Sequence, residues 1–319
     1  MFGSLGKSAL VVVAAAASAL AAGGDSDKII TDVHQLRSFA LEVPFIDEGF
    51  HMRNYDYGGD AVVNTMSHIR LTGDQQSRVG WVWSTLPLPE DYWKVDFEFK
   101  VGGKGGYLYG DGMGMFVTQE RAQAGPVFGN RDYFHGLGLL FDTYPNSKHD
   151  FSTPFVMGMV GDGRTAYDGA HDGDANRRGM CEAYFRNLKE SSRCSVTYLK
   201  GEFVNVQLQL QPKDKWINCF TITNVTLPTG AFLGFSALTG DVSDSHDIVS
   251  VRAETMRPEA LKNYNFLSGV PGGLPAAAAA TAIGSSSIGL IFKLLVVAGV
   301  CGGLFVAYRK FAAESARRF

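Results

Sequence analysis

An excess of basic charge is the first feature that this 319-residue chain lacks. Its 29 Lys and Arg residues face 32 Asp and Glu residues, which leaves a net charge of −3. Proteins that bind nucleic acid carry a basic field, so we predict no nucleic-acid partner. Between about residues 35 and 255, no long stretch repeats its apolar residues at the helical period. No heptad repeat follows this region, so no coiled coil is expected.

Cysteine is also scarce, and the 4 residues present form no Cys-x-x-Cys pair or His/Cys pattern that would suggest zinc. Cys301 lies in an apolar run near the C-terminus, which leaves Cys181, Cys194 and Cys219 in the rest of the chain. In an oxidising compartment, this odd number predicts one disulfide and one cysteine left over.

Two apolar runs predict export and membrane anchoring. Residues 9–20 (ALVVVAAAASAL) follow Lys7 and precede small residues, which is typical of a secretory signal; a short buried helix is the alternative. Residues 288–308 are long enough to span a bilayer, and basic residues follow them, as on a cytosolic side. Lys293 lies near the predicted luminal end, where its stem can reach the interface.

The predicted organisation is therefore that of a type I membrane protein. Its parts are a signal peptide (1–22), a luminal domain (30–255), a stalk rich in Pro, Gly, Ala and Ser (256–287), a transmembrane helix (288–308) and a cytosolic tail (309–319). Asn224-Val225-Thr226 is an N-glycosylation sequon, usable only in a luminal turn.

Short apolar–polar alternations separated by turn residues fill the predicted luminal domain. They predict strands at 94–101, 112–118, 136–143, 203–211 and 219–225. Many short antiparallel strands in one unit indicate an all-β fold, a sandwich or jelly roll.

Oxygen-bearing residues follow one of these strands, in GLLFDTYPNSKHD (138–150). Asp142, Asn146 and the carbonyl of Tyr144 are ligands that Ca²⁺ prefers. Asp172 or Asp174, in the acidic loop YDGAHDGD (167–174), could complete the shell. An ordinary polar turn is the alternative, since Asp, Pro and Asn are common in turns.

A run of motifs resembles the L-type lectins of the early secretory pathway, the ERGIC and vesicular integral-membrane cargo receptors. These motifs are IRLTGDQQSRVGWVW (69–83), GDGMGMFVTQERAQAGPVFGNRDYFHGLGLLFDTYPN (110–146), CEAYFRN (181–187) and LPTGAFLGFSALTGDVSDSHDIVSV (227–251). The resemblance implies a legume-lectin-like β-sandwich with one Ca²⁺ beside a shallow mannose site.

The resemblance also implies a role for each matching residue. Asp111 would accept hydrogen bonds from sugar hydroxyls, and Asn146 would face both sugar and metal. Asp142, Tyr144, Asn146 and Asp172 would hold Ca²⁺. Gly240, Asp241 and Val242 would contact the sugar through their backbone, and Ser77 would lie near extended mannose chains.

One position departs from the family pattern. A His commonly stands three residues before the last calcium Asp, but here that position is Gly169, and His171 directly precedes Asp172. Either His171 substitutes from a shifted backbone, or the sugar loses one partner.

The cysteines fit the family in part. Cys181 and Cys219 match its single disulfide, whereas Cys194 has no counterpart and is either free or paired in trans.

The aromatic and histidine residues suggest mostly structural roles. Trp81, Trp83 and Trp93 are expected in the core rather than as a sugar platform, and His135 and His246 in packing or strand-end hydrogen bonds. Phe128 and Tyr133 are the candidates for a sugar-facing wall.

The function implied by the resemblance is calcium-dependent binding of high-mannose N-glycans on glycoproteins. The protein would act as a membrane cargo receptor of the ER, the ER–Golgi intermediate or the Golgi. Phe319 resembles the C-terminal aromatic signals that coat proteins bind, although a plain basic flank after the span is the alternative.

Two rival functions use the same fold. A protein-binding cargo adaptor without sugar affinity is compatible with the displaced His. A sandwich-fold glycoside hydrolase needs two carboxylates flanking a cleft, and no Glu-x-Asp-x-x-Glu-like array occurs; DFEF (96–99) lacks the third carboxylate. We therefore predict a binding protein and not an enzyme.

Overall fold

Strands account for most of the regular structure in the computed structural model, which describes residues 33–49, 51–148 and 151–256. In chain order they are β1 (Val33–Gln35), β2 (Tyr55–Gly59), β3 (Val62–Asn64), β4 (His68–Thr72), β5 (Val79–Pro87), β6 (Tyr92–Gly102), β7 (Gly112–Thr118), β8 (His135–Asp142), β9 (Phe155–Asp162), β10 (Gly179–Glu182), β11 (Ser192–Leu199), β12 (Phe203–Gln209), β13 (Ile217–Thr223), β14 (Phe232–Leu238) and β15 (Ser245–Met256). Within the described ranges, the helices are three short 3₁₀ turns, at Arg37–Phe39, Gly169–His171 and Asp174–Asn176.

The strands form two antiparallel sheets, so the predicted all-β sandwich is confirmed. One sheet has the order β13-β12-β11-β6-β15-β4-β3, with β1 also paired to β15. The other has the order β10-β9-β8-β7-β14-β5-β2. All five strands predicted from the sequence occur, with ends that differ by up to two residues except for β7, which matches.

The main core lies between the two sheets and is rich in phenylalanine. Phe97 and Phe99 of β6 meet Phe141 of β8 at ring-centroid distances of 5.9 and 4.9 Å, with the rings edge to face. Trp93 is 1% exposed and belongs to this core. Edge-to-face packing of this kind adds to the stabilisation from apolar burial.

A second apolar cluster covers the outer face of the seven-stranded sheet. Phe116 of β7 and Leu140 of β8 contribute to it, together with Trp83, Phe128 and Phe134. The cluster uses the alternate residues of the same strands, so β7 and β8 are buried on both faces. This explains why these two segments are almost continuously apolar in the sequence.

A disulfide between Cys181 of β10 and Cys219 of β13 joins edge strands of the two sheets. It is the pair that the family resemblance implies, and such a bond typically contributes about 2–5 kcal/mol of stability. Cys194 is free and fully buried in the main core, which does not fit pairing in trans. Asn224 follows β13 in an exposed bend, where a glycan would meet no packing.

The predicted signal peptide, transmembrane helix and cytosolic tail lie outside the described residues, as does the stalk beyond Met256. Among the residues that are described, no helix is long and apolar enough to cross a membrane. The membrane topology therefore stays a prediction.

Candidate functional site

Strand pairing brings the first two candidate residues together. Gly112 of β7 pairs with Asp142 of β8, so Asp111, just before β7, lies beside the end of β8. The carbonyl of Asp111 accepts hydrogen bonds from the backbone N–H and the hydroxyl of Thr143, at 3.0 and 3.1 Å. The N–H of Asp111 donates to the carbonyl of Leu238, the last residue of β14, at 3.2 Å. Three neighbouring strands thus deliver their terminal loops to one place.

Asp172 comes from a distant loop and organises the residues around Asn146. Its carboxylate accepts hydrogen bonds from the Asn146 backbone N–H at 2.9 Å and side-chain amide at 2.8 Å, and from the Ser147 N–H at 3.0 Å. Asp172 is 1% exposed and has a positive φ of 50°, within the 3₁₀-rich loop that follows β9. The two acidic loops that the sequence analysis paired therefore do converge.

Asp142 holds a carboxylate oxygen that has no partner. Its Oδ1 accepts the N–H of Tyr144 at 2.9 Å, whereas Oδ2 is buried and has no hydrogen-bond partner in the described part of the chain. Burial raises the pKa of Asp142 well above its usual range, and the negative charges of Asp172 and Asp111 raise it further, against the Tyr144 hydrogen bond. Buried polar atoms are rarely left unsatisfied, so this oxygen is suited to binding a cation.

The donor set fits a hard divalent ion. Asp142, Asn146 and Asp172 offer carboxylate and amide oxygens, the ligands of Ca²⁺. Among the described residues, no three His, Cys, Asp or Glu side chains come together as a metal site, so this site has two carboxylates that an amide and a carbonyl would complete. It contains no His or Cys, the nitrogen and sulfur ligands that zinc prefers. Asp142 and Asp172, together with Asn146 and the carbonyl of Tyr144, would hold the ion.

A cavity of about 250 Å³ opens beside these residues. Its lining consists of Asp111, Pro126, Val127, Phe128, Asp132, Asp142, Asn146, Tyr167, Gly169 and Leu238. Burial, and then the charge of Asp241, raise the pKa of Asp111 to about 6. The cavity therefore presents a carboxylate, an amide and an aromatic wall within one small space, as a sugar-binding pocket requires.

The Gly240–Val242 loop lies directly against Asp111. A Cβ atom placed on Gly240 would lie 3.1 Å from Asp111 Oδ2, so glycine lets the carboxylate approach this backbone closely. Ser77 donates its N–H to the Gly240 carbonyl at 3.1 Å, and the Gln76 side-chain amide donates to the carbonyl of Asp241. The structure thus gathers Ser77 and the Gly240–Val242 loop next to Asp111.

His171 lies apart from this group. Its Nδ1 is 2.9 Å from the carboxylate of Asp168, and its side chain is 65% exposed. Gly169 lines the cavity instead, and a Cβ atom there would have its nearest contact at 3.6 Å, with the Tyr167 ring. The position where the family commonly has a His could therefore accept a Cβ atom, in ordinary van der Waals contact with Tyr167.

The aromatic wall differs in part from the prediction. Phe128 lines the cavity and meets Tyr167 edge to face at 6.0 Å, whereas Tyr133 is 47% exposed and does not line it. Tyr167 is not predicted from the sequence, because the 167–174 loop suggests metal ligands only through its carboxylates. Asp132 is not predicted either; its Oδ1 accepts the Tyr167 N–H at 2.9 Å and so positions that residue.

The remaining histidine and tryptophan predictions concern residues outside the cavity lining. His246 is fully buried and its Nδ1 lies 2.7 Å from the Thr72 hydroxyl. His135 Nδ1 lies 2.9 Å from Gln119 at a strand end. Trp83 is 1% exposed in the second cluster, and Trp81 packs against it.

A two-sheet sandwich that gathers oxygen ligands and a small polar pocket at adjacent strand ends defines a lectin of the legume type. Comparison with known families agrees, since the model of the legume-like lectin family matches residues 32–262. The chain belongs to the legume-like lectin family, and the family is one of carbohydrate-binding proteins rather than enzymes.

Two curated relatives and a solved structure show how close the similarity is. An L-type lectin-like domain-containing protein of Schizosaccharomyces pombe is 36% identical over 228 residues, which are 71% of this chain and 73% of the relative. Vesicular integral-membrane protein VIP36 of Mus musculus is 38% identical over 222 residues. The match spans 69% of this chain and 62% of VIP36, just under two thirds of that relative.

The solved structure is the exoplasmic/lumenal domain of VIP36 in its Ca²⁺- and mannose-bound form. It is 38% identical, has a TM-score of 0.66 and covers 69% of this chain and 91% of its own. Ca²⁺ and mannose are therefore ligands of a protein with this fold and substantial sequence identity.

Proposed function

We propose that this protein is a calcium-dependent lectin that binds high-mannose N-glycans on glycoproteins and carries them between ER and Golgi. One observation supports this above all: Asp142, whose Oδ2 is buried with no hydrogen-bond partner among the described residues, lines the same cavity as Asp111 and Asn146. The Ca²⁺- and mannose-bound form of VIP36 supports the same ligands.

Some residues of the site would bind the metal and others the sugar. Ca²⁺ would neutralise the charges of Asp142 and Asp172 and fix the loop that carries Asn146. Asp172 already holds that loop through backbone and amide hydrogen bonds, so little ordering remains to be done on binding. Asp111 would accept sugar hydroxyl protons, and the Gly240–Val242 backbone would supply further contacts.

Affinity for a single mannose is expected to be weak, on the order of millimolar, which is about −4 kcal/mol. The pocket is small and shallow, and no imidazole occupies the Gly169 position. Useful affinity would come from a branched glycan that also touches Ser77.

A glycan array tests the proposal. The full chain, purified in detergent, is expected to bind high-mannose glycans in Ca²⁺ and to release them in a chelator. Binding that a chelator leaves unchanged would contradict the metal site, and no glycan binding by a folded protein would contradict the lectin function.

One observation keeps a second candidate, a sugar-independent cargo adaptor on the same fold. His171 points to Asp168 rather than into the cavity, so the pocket has one polar partner fewer than the family pattern. Crosslinking of cargo that persists in a chelator, together with an empty glycan array, would favour this adaptor.

We further propose a type I membrane topology, with the lectin domain in the lumen and Phe319 exposed to coat proteins. The apolar run 288–308 and the basic tail support it. Removal of Phe319 is expected to slow ER exit, and an unchanged exit rate would count against the coat-protein partner.

A further inference from the structure

Arg186, in the motif CEAYFRN, forms a buried ion pair that the proposed sugar site does not yet explain. Its side chain is 10% exposed and that of its partner Asp244 is not exposed at all. Arg186 Nε donates to Asp244 Oδ2 at 2.8 Å and Oδ1 at 3.0 Å, and Nη2 donates to Oδ1 at 2.8 Å. The guanidinium is thus locked to a residue two positions after Val242.

The same guanidinium also contacts the loop that leads to Asp111. Nη2 donates to the carbonyl of Gly105 at 2.8 Å. The guanidinium carbon lies 3.7 Å from the ring centroid of Tyr109, two residues before Asp111. The planar guanidinium of Arg186 therefore stacks on Tyr109 of one loop and pairs, in its own plane, with Asp244 of the other.

Further hydrogen bonds near Arg186 hold the first residues of the Asp111 loop and the residues just after Val242. Asp74 accepts the Lys104 N–H at 2.9 Å and the Ser243 hydroxyl at 2.7 Å, one from each loop. Asn187 accepts the Gly103 N–H at 3.0 Å. Residues 103–104 and 243–244 are therefore held by hydrogen bonds with Asp74 and Asn187 as well as with Arg186.

The two loops meet again at their tips, where the sugar would bind. A Cβ atom on Gly110 would lie 2.8 Å from Tyr144 Cβ and 3.2 Å from Val242 Cγ2. Because these loops touch, a shift of either one changes the spacing between the Asp111 carboxylate and the Gly240–Val242 backbone.

We propose that Arg186 is a positioning residue of the sugar site, which fixes the Asp111 loop and the Gly240–Val242 loop in one geometry. The proposal rests on the lectin function proposed above and deepens it. In the described residues, the hydrogen bonds of Arg186 go to Asp244, Gly103 and Gly105 and not to Asp142, Asn146 or Asp172. Sugar affinity should therefore depend on Arg186 more strongly than calcium affinity, which Arg186 can influence only indirectly, through the hydrogen bonds between Asp111 and Thr143.

Arg186→Lys is the central variant. Lysine keeps a positive charge beside Asp244 but loses both the planar fork and the stacking on Tyr109. With the full chain in detergent, calorimetric titration should show mannose affinity lowered by about tenfold, which corresponds to about 1.4 kcal/mol. The calcium affinity, titrated separately, should change much less than the mannose affinity.

Arg70→Lys is the matched control. Arg70 donates to Asp247 through Nε at 2.8 Å and Nη2 at 2.9 Å. This is also a forked arginine–aspartate pair, but its aspartate lies in β15. Asp247 lies in the strand rather than in a loop of the site, so this variant should bind mannose like the wild type. If Arg186→Lys bound mannose normally, or if both variants lost it equally, the proposal would be overturned.

Tyr109 provides an independent variant if Arg186→Lys fails to fold. Tyr109→Phe keeps the ring beneath the guanidinium and should bind mannose normally. Tyr109→Ala removes the ring and should lose mannose affinity with a much smaller change in calcium affinity. Equal binding by these two variants would contradict the stacking argument.

Hydrogen exchange separates this proposal from the lectin function. If wild-type protein binds no mannose, the proposed function fails, but Arg186→Lys should still speed amide exchange in residues 103–111 and 240–244 together. Unchanged exchange in both segments would refute the coupling whatever the ligand is.

Discussion

Neutralising Asp142 should have opposite consequences with and without calcium. Its carboxylate is buried, has one oxygen with no hydrogen-bond partner among the described residues, and lies near the charges of Asp172 and Asp111. Asp142→Asn keeps the acceptor for the Tyr144 N–H and removes the charge. We therefore expect the calcium-free variant to unfold at a temperature no lower than the calcium-free wild type.

Calcium should stabilise the wild type strongly and the variant hardly at all. A ligand at 100 times its dissociation constant contributes about 2.7 kcal/mol. For a domain of this size, 1 kcal/mol moves the melting temperature by about 2–4 °C, so calcium should raise that of the wild type by about 5–10 °C. The Asp142→Asn variant loses a ligand oxygen and a charge, and its shift should be below about 1 °C.

Thermal unfolding of the full chain, in Ca²⁺ and in chelator, measures both effects. Asp247→Asn is the contrast, because Asp247 is also buried but already has the forked hydrogen bonds of Arg70. It should be modestly destabilised in either buffer, since the hydrogen bonds from Arg70, whose side chain is 41% exposed, lose their anionic acceptor. A calcium shift retained by Asp142→Asn, or a clear loss of stability in chelator, would refute the proposed metal site.

Four further substitutions test the remaining roles. Asn146→Ala should abolish retention on mannose resin and weaken calcium binding, because the side chain is expected to serve both ligands; normal retention would contradict this. Asp111→Asn should abolish retention while calcium still raises the melting temperature, whereas a collapsed melting curve would give Asp111 a structural role. Gly169→His should strengthen retention, because a Cβ atom there has no contact closer than 3.6 Å and the ring would restore the polar partner of the family pattern; weaker retention would show that the sugar itself needs the space beside Gly169. Burial, and then the charge of Arg186, lower the pKa of His246 to about 3 from 6.5, so the unfolded chain binds a proton that the folded protein does not. As the pH falls from 6.5 toward 5, the wild type should lose stability relative to His246→Gln in denaturant titrations, with a slope that rises from about 0.7 to about 1.4 kcal/mol per pH unit, and parallel curves would refute this.

Much of the fold is predictable because alternation is a local signal. KVDFEFKV alternates because β6 packs one face on the main core, and its neighbours in the sheet follow the same pattern. Segments such as GMGMFVT, which are buried on both faces, are still predicted as strands by their length and flanking turns. The pairing order of the strands does not follow from alternation, because it depends on contacts between distant residues.

The site is predictable only where the family resemblance supplies the pairing of distant loops. Asp142 and Asn146 are four residues apart and suggest a site by themselves, but nothing local connects them with Asp172. Tyr167, Asp132 and Arg186 were not predicted, because their roles arise from hydrogen bonds and ring contacts across the fold. The outward direction of His171 depends on the nearby Asp168, a contact that spacing alone does not define.

The chemistry of the site is ultimately set by the register of two buried strands. Gly112 pairs with Asp142 because Met113 and Met115 of β7 must face the main core together with Leu139 and Phe141 of β8. A shift of one residue in either strand would exchange the side chains that face the main core with those that face the second cluster, and it would also move the Asp142 carboxylate away from Asp111. Core packing therefore maintains the close approach of these like charges, which is unfavourable without a cation. Burial of the apolar core contributes far more free energy than this local repulsion costs, so the fold can keep the carboxylates close together. The positive charge of a bound ion would then offset their repulsion.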